Sequence, residues 1–512
     1  MPDSTGRVDG TADPAFEDAP VEDLVADEPV LEEPIGDEPA AAASMPSRRR
    51  VGGVHVGARA LTGVIGIAVA VSAITAATLV PFPTLDAAAP SVSVQPEPAA
   101  QQLVCPGAVL RLGDESGANA TVASAIGTAT TTSDATSGTL DSVVLADTGS
   151  GAGQGAPTLL SASAATTTIA GAQSQSVNTS DYRGLAAAEC ARPSSDSWLV
   201  GGSTATGRTT LLTLANPGES LSTVTIELFG ESGVVDAAGT NGIVVAPGTQ
   251  RVVSLAGFAP GLASLAVHVT SRGGPVVANL QQSIVRGIDA GGVDIISATK
   301  AAATSHVVPG VRILDSAGVQ AAQGGAGYDD LGTIVRVFVP GAVDADATIR
   351  VLSAEDGVAS SGFDLTLAAG VVTDVPIDEL PDGSYTVVVE TSVPTVTAVR
   401  ASTINGDASD LAWFAAGDAL TDSAFVSVAN GDSAILELGN PGDAAASVKV
   451  GDMSVTVPAG SSVTVPVGDN QSYLVTGAEG IFGSVSYASP GRLASYLLGA
   501  SATRQPPVII YP

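Results

Sequence analysis

The chain is short of the residues from which most active sites and nucleic-acid interfaces are built. It has three histidines, two cysteines and only 4% aromatic residues, and its charged fraction is 14%. Twenty basic residues stand against 52 acidic ones, for a formal charge of −32. Nucleic acid is excluded as a partner, because phosphate neutralisation needs patches of Lys and Arg. There is no Gly-x-Ser-x-Gly elbow and no Gly-rich phosphate loop ending in Lys. The sequence is instead rich in Gly, Ala, Val, Ser and Thr, with 59 Gly and 31 Pro, which suits β-sheets with thin cores.

Residues 1–47 carry 13 acidic residues, seven prolines, one Arg (Arg7) and one aromatic (Phe16). Such a segment buries too little apolar surface to offset its chain entropy and reads as a disordered acidic tail. Arg48, Arg49 and Arg50, followed by Arg59, close it. Next comes a charge-free run from Ala60 to Leu85, whose centre, Leu61 to Val80, is long enough as a helix to cross a bilayer. The basic cluster before it places residues 1–59 in the cytoplasm and the rest outside. A buried core helix is the bland alternative. Cleavage after Ala87-Ala88-Ala89 is another, disfavoured by a leader of that length and by Pro90 behind the cut. The expectation is an uncleaved signal-anchor.

Cys105 and Cys190 both fall beyond that span, where two cysteines allow a single intramolecular bridge; two free thiols are the alternative. Neither has the close Cys or His spacing of a zinc or redox site. Between Arg111 and Arg183 lies a basic-free stretch rich in Thr, Ser, Ala and Gly. It reads as a mixture of short β pieces, near Val109 to Leu112 and Thr158 to Ala170, and a mobile tip around Gly149 to Gly155.

From Trp198 onward, period-two alternation recurs in short runs bounded by Gly, Pro, Asn and Asp, the pattern of antiparallel sandwiches. Turn chemistry repeats. Asn216-Pro217-Gly218, Val339-Pro340-Gly341 and Asn440-Pro441-Gly442 each end a strand, and Pro247-Gly248, Ala369-Gly370 and Ala459-Gly460 each introduce the next pair. The segments Ser195 to Gly202 and Ser409 to Gly417 echo one another and hold the two tryptophans, Trp198 and Trp413. The expected fold is therefore mostly β: tandem antiparallel, Ig-like β-sandwiches after one transmembrane helix and a disordered acidic tail. The expected domains are a tail at 1–59, a span at 60–85 and a disulfide-closed β segment at 86–197. Sandwich units follow at 198–303, 307–405 and 410–512, with the tryptophans at equivalent places in the first and third.

Chemistry is sparse. His55 is juxtamembrane, His268 alternates within a strand, and His306 precedes a turn; no two have metal-ligand spacing. Ser297 and Lys300 match Ser-x-x-Lys, a frequent chance pattern that here lacks its companion motifs. Asp344 and Asp346, or Asp374, Asp378, Glu379 and Asp382, could hold Ca²⁺ loosely but are better explained as solubilising charge.

The acidic tail, the Arg48–Arg50 cluster, the span, Cys105-Pro-Gly with Cys190, Trp198-Leu-Val-Gly-Gly and Ala-Asn216-Pro-Gly together resemble an actinobacterial membrane-anchored family, domain of unknown function 5719, over roughly residues 60–512. The resemblance implies an envelope location, carries no catalytic residue, and associates the chain with membrane glycosyltransferases. The expectation is a single-pass membrane protein with a large extracellular region. It would be an extracytoplasmic binding or scaffold protein that is not an enzyme, uses no cofactor or metal, and meets an envelope protein or glycan. The alternatives are an envelope-glycan or cell-wall enzyme or its accessory, with a dispersed carboxylate site, and a sensor signalling through the acidic tail.

Overall fold

The computed structural model describes residues 100–499 apart from 114–121, 148–154, 355–360 and 378–379, together with Ala68 and two strands, Val92–Val94 and Val508–Ile510, that pair antiparallel. The acidic tail, the Leu61 to Val80 run apart from Ala68, His55, Asp378 and Glu379 lie outside the described residues. Among the described residues no helix is long and apolar enough to cross a membrane. The chain divides into residues 1–89 and 90–512, and the second unit holds every strand found among the described residues.

Alternation does what the sequence asks of it. In Ser222–Gly230 every second side chain is buried, and Val224, Ile226 and Leu228 enter a core shared by two sheets. Eight strand positions build this repeat: Asp196–Val200, Arg208–Asn216, Ser222–Gly230, a fourth shared by Gly233–Val235 and Ile243–Val245, then Thr249–Ser254, Leu265–Arg272, Val277–Arg286 and Asp289–Ile296. Numbered in that order, one sheet runs first-sixth-third-fourth and the other eighth-seventh-second-fifth.

The same order recurs twice downstream. Ala303–Ile313, Ile334–Phe338, Ala345–Ser353, Ser361–Leu367 and Val372–Pro376 supply positions one to five of the next repeat. There the long strand Gly383–Asn405 serves as both sixth and seventh, crossing from one sheet to the other, and Ala408–Ala415 is the eighth. The last repeat uses Ser423–Val428, Ile435–Asn440, Ala446–Val450, Met453–Val457, Ser461–Pro466, Gln471–Thr476, Phe482–Ser489 and Arg492–Leu497.

The repeated turns fall at identical places. Asn216 and Asn440 end second strands, and each side chain accepts from the N–H two residues on, of Gly218 at 2.9 Å and Gly442 at 3.1 Å. Each also donates to a carbonyl across the turn, of Ser220 and Ala444, both at 2.8 Å. Gly248, Gly370 and Gly460, which precede the fifth strands, all have positive φ, a conformation glycine reaches without strain.

Two features depart from the sequence reading. Trp413 does not open a third unit: Ala408–Ala415 turns back at Gly406-Asp407 to pair with residues 398–405, so it is the eighth strand of the preceding repeat. Trp198, on a first strand, therefore has no positional equivalence with Trp413, and the last repeat begins near Ser423. The boundaries at 405 and 410 fail because a tight hairpin makes the two strands inseparable.

The second departure is the segment 86–197. Gln102–Cys105, Thr158–Ala162 and Leu140–Val144 pair in the order first-sixth-third, while Thr130–Ala135, Ile169–Asn178 and Arg183–Glu189 serve as second, seventh and eighth. This is a further, shorter copy of the repeat, without fourth and fifth strands among the described residues. A two-stranded hairpin, Leu110–Leu112 with Ala123–Ala125, is inserted between its first two strands. We number the copies I to IV along the chain.

Candidate functional site

The four eighth strands meet. Arg183–Glu189 packs on Asp289–Ile296, that on Ala408–Ala415, that on Arg492–Leu497, and the last returns to the first. An eighth strand is the edge of its sheet, so its outward N–H groups have no ladder partner, and buried they must find one elsewhere. Asp410 supplies it. Its carboxylate accepts from the N–H groups of Leu185 at 2.9 Å, Leu493 at 3.0 Å and Val293 at 3.2 Å, one from each other copy, and from its own neighbour Leu411 at 3.0 Å. Burial pushes Asp410 up to about 8, although these donors favour its charged form. Gly184 has φ +150° and a Cβ there would collide with the Asp410 carboxylate, so close approach requires glycine.

One step along, Asp294 accepts from the Trp413 N–H at 2.7 Å, and the Trp413 indole N–H donates to Gln282 at 2.7 Å. Burial raises Asp294 well above the carboxylate range. Arg336, fully buried, grips Asp374 at 2.7 and 2.8 Å, donates to the carbonyl of Gly202 at 2.7 Å and lies 4.6 Å from the Trp413 ring, joining copies II and III.

At one end of this ring opens a cavity of about 420 Å³. Glu189 and Arg192, from the end of copy I, line it with Phe425, Tyr496, Leu497 and Cys190. Cys190 is bonded to Cys105, which ties the first strand of copy I to the residue after its eighth. Glu189 Oε2 is buried without a hydrogen bond of its own, and burial pushes this carboxyl up to about 7 although the Ser297 hydroxyl and the Leu497 N–H favour its charged form. Arg192 is on the rim; partial burial lowers it below the usual arginine value. Tyr496 donates to the Ser427 carbonyl at 3.0 Å, which fixes its ring in the wall.

The residues singled out from sequence are scattered. Lys300 reaches the Ser305 carbonyl at 3.2 Å and Asp418 at 3.9 Å. Ser297 and Lys300 sit on non-helical backbone, where side chains three apart do not share a face, so the Ser-x-x-Lys spacing assembles nothing. His306 Nε2 lies 2.6 Å from the Thr395 carbonyl and 3.0 Å from that of Ala303, and burial lowers its pKa. His268 stacks on Trp198 at 4.1 Å between Glu227 at 2.9 Å and Asp196 at 3.3 Å.

Asp374 belongs to Arg336, and Asp382 accepts from the N–H groups of Asp315 and Ser316 at the start of the short helix Ser316–Ala322. Asp344 and Asp346 accept from the Ala369 N–H and the Thr366 hydroxyl. Among the described residues no group of three His, Cys, Asp or Glu could hold a metal. Sequence reasoning passed over Glu189, Arg192 and Asp410; the available signal was a lone acid inside an apolar strand, in Ala-Ala-Glu189-Cys and Ser-Asp410-Leu.

Fold and site define a β-repeat protein whose copies close on a buried carboxylate, with a cavity at one end of the ring. The model of a family of unknown function (DUF5719) matches residues 146–477, and the chain belongs to that family. No curated protein matches the chain. A solved structure described as "Crystal Structure of Thermotoga maritima 1070" is similar at 18% identity over 22% of this chain and 93% of its own, with a TM-score of 0.19, too slight a likeness to inform the fold.

Proposed function

We propose that the protein is a membrane-anchored binding or scaffold protein of the cell envelope. Its N-terminus would be cytoplasmic, its helix at Leu61 to Val80 would span the membrane, and its Ig-like sandwich repeats would stand outside. The observation that carries this reading is the joining of four eighth strands through Asp410, which makes the copies a single body fit to hold surface loops in fixed register. The Cys105–Cys190 bridge supports an oxidising compartment. The partner is an envelope protein or glycan, with a membrane glycosyltransferase as the first candidate, and the protein itself turns over no cell-wall substrate.

Two measurements on the full chain in its native membrane test this. Protease added to wall-stripped cells should digest residues beyond 90 and spare the acidic tail; a protected large region contradicts the orientation. Crosslinking followed by affinity capture should enrich an envelope protein or polymer. Hydrolysis of a purified cell-wall glycan, abolished by one carboxylate substitution, would place the protein among enzymes instead.

A further inference from the structure

The cavity beside the ring has a composition that packing alone does not explain. Glu189 is held in its wall by an eighth strand, and Oε2 is buried without a hydrogen bond of its own, although the Ser297 hydroxyl and the Leu497 N–H face the carboxyl. Leaving a buried acceptor unmatched is unfavourable, the more so for a charged group. Natural sequences remove such groups unless something else matches them. A few residues on, exposed Arg192 lines the same cavity at its rim, with no ion pair or hydrogen bond among the described residues. The other acid of the lining, Asp418, faces Lys300 at 3.9 Å and is mostly exposed.

Apolar side chains share the lining with these polar groups: Phe425, the Tyr496 ring, Leu497, Leu498 and Ile169, beside Thr168 and Ser427. The volume, about 420 Å³, lies at the small end of ligand pockets and suits a molecule of amino-acid to monosaccharide size. An inorganic anion would satisfy Arg192 and leave Glu189 orphaned, whereas a simple amine would do the reverse.

We propose that this cavity binds a small organic carboxylate that also carries a hydrogen-bond donor, with Arg192 taking the carboxylate and Glu189 the donor. Arg192 offers the paired N–H fork that matches a carboxylate in plane. Glu189 accepts from an ammonium or a hydroxyl, and the apolar wall covers the carbon skeleton. Two sources share this chemistry: an amino acid or peptide end, and a hydroxy or sugar acid. The assignment is independent of the envelope reading, since a protein in any compartment with this cavity would bind the same ligand.

Calorimetric or ligand-observed NMR titration of the detergent-solubilised full chain decides the matter, with alanyl-alanine, its methyl ester, glucuronate and glucose as probes. Alanyl-alanine or glucuronate should bind, while the ester and glucose should bind at least roughly tenfold more weakly. Arg192→Gln should remove the preference for the free acid, with Arg192→Lys keeping part of it. Glu189→Gln should weaken alanyl-alanine if its ammonium is read, or glucuronate if a hydroxyl is; unchanged affinity for both would overturn the role given to Glu189. Lys449→Gln, at a remote exposed position, should change nothing. Equal binding of acid and ester, no binding of any probe, or affinity untouched by Arg192→Gln in a variant that melts like the parent would overturn the proposal.

Discussion

Copy I and copy II share strand order but differ in how they are held. Copy II has all eight positions and a core that runs from Trp198 through Leu214 and Ile226 to Ile296. In copy I one sheet is three short strands over a core of Leu103, Leu160, Ala162, Ile169 and the two cysteines. The third strand of copy I, Leu140–Val144, has Val143 and Val144 exposed, where copy II would lay a fourth strand. Instead the chain moves on and pairs Ala146–Asp147 in parallel with the fifth strand of copy II. The lesson is that strand order can survive with little apolar burial when a covalent bond and neighbouring copies supply the closure.

The largest expected effect comes from removing that bond. In the chain-entropy treatment a bridge over a separation of 85 residues is worth about 4–5 kcal/mol. The Cys105→Ser, Cys190→Ser double variant should melt copy I first, seen as early proteolysis between residues 102 and 189 while copies II and III persist. Simultaneous loss of all copies would show that copy I has no separate stability.

Asp410→Ala should come next, at about 4 kcal/mol, because it strands three buried N–H groups from three other copies. Asp410→Asn should be only partly milder, since an amide turns a donor toward groups that are themselves donors. Chemical denaturation of both variants checks the ranking.

Trp413→Ala should cost about 3–4 kcal/mol and exceed Trp198→Ala in a paired melting experiment. Both rings reach another copy, Trp198 through Phe338 at 5.8 Å, but Trp413 adds the hydrogen bonds to Gln282 and Asp294 and lies under Arg336. Equal losses would return the tryptophans to equivalent roles.

The smallest effect is on pH dependence. Glu189 and Asp410 titrate in the folded chain at about 7 and about 8, above their unfolded values, so the folded state holds protons the unfolded chain has released. Their contribution is complete below about pH 4 and is lost as pH rises to about 8. Asp330 and Asp374, where burial is outweighed by the guanidiniums of Arg286 and Arg336, work the other way and lose their contribution as pH falls below about 4. Stability should therefore decline from about pH 5 to 8, less steeply in Glu189→Gln. A rise over that interval contradicts the assignment.

The legible part of this fold was what local chemistry dictates. Asn-Pro-Gly and the glycine before each fifth strand report turn geometry directly, and their spacing revealed the repeats. Copy I escaped because Thr130–Ala135 reads Thr-Thr-Thr-Ser-Asp-Ala, with almost no apolar alternation, and its pairing rests on backbone hydrogen bonds to Ile169–Asn178. The tryptophan echo misled because similar apolar strands occur at different positions of the repeat. The ring was invisible because Asp410 bonds to main-chain N–H groups as far as 225 residues away, which carry no side-chain signature. Glu189 and Arg192 looked ordinary for the same reason: a group is orphaned by its surroundings, and these come from copy IV as well as copy I.

Peptide-resolved hydrogen exchange on the parent chain and on Asp410→Ala tests most directly whether one carboxylate closes four copies. Peptides covering 183–189, 289–296 and 492–497 should all lose protection together in the variant, while 222–230, on the outer sheet of copy II, should keep it. Loss confined to residues 408–415 would show that the eighth strands stand without Asp410 and that the ring is held by packing alone.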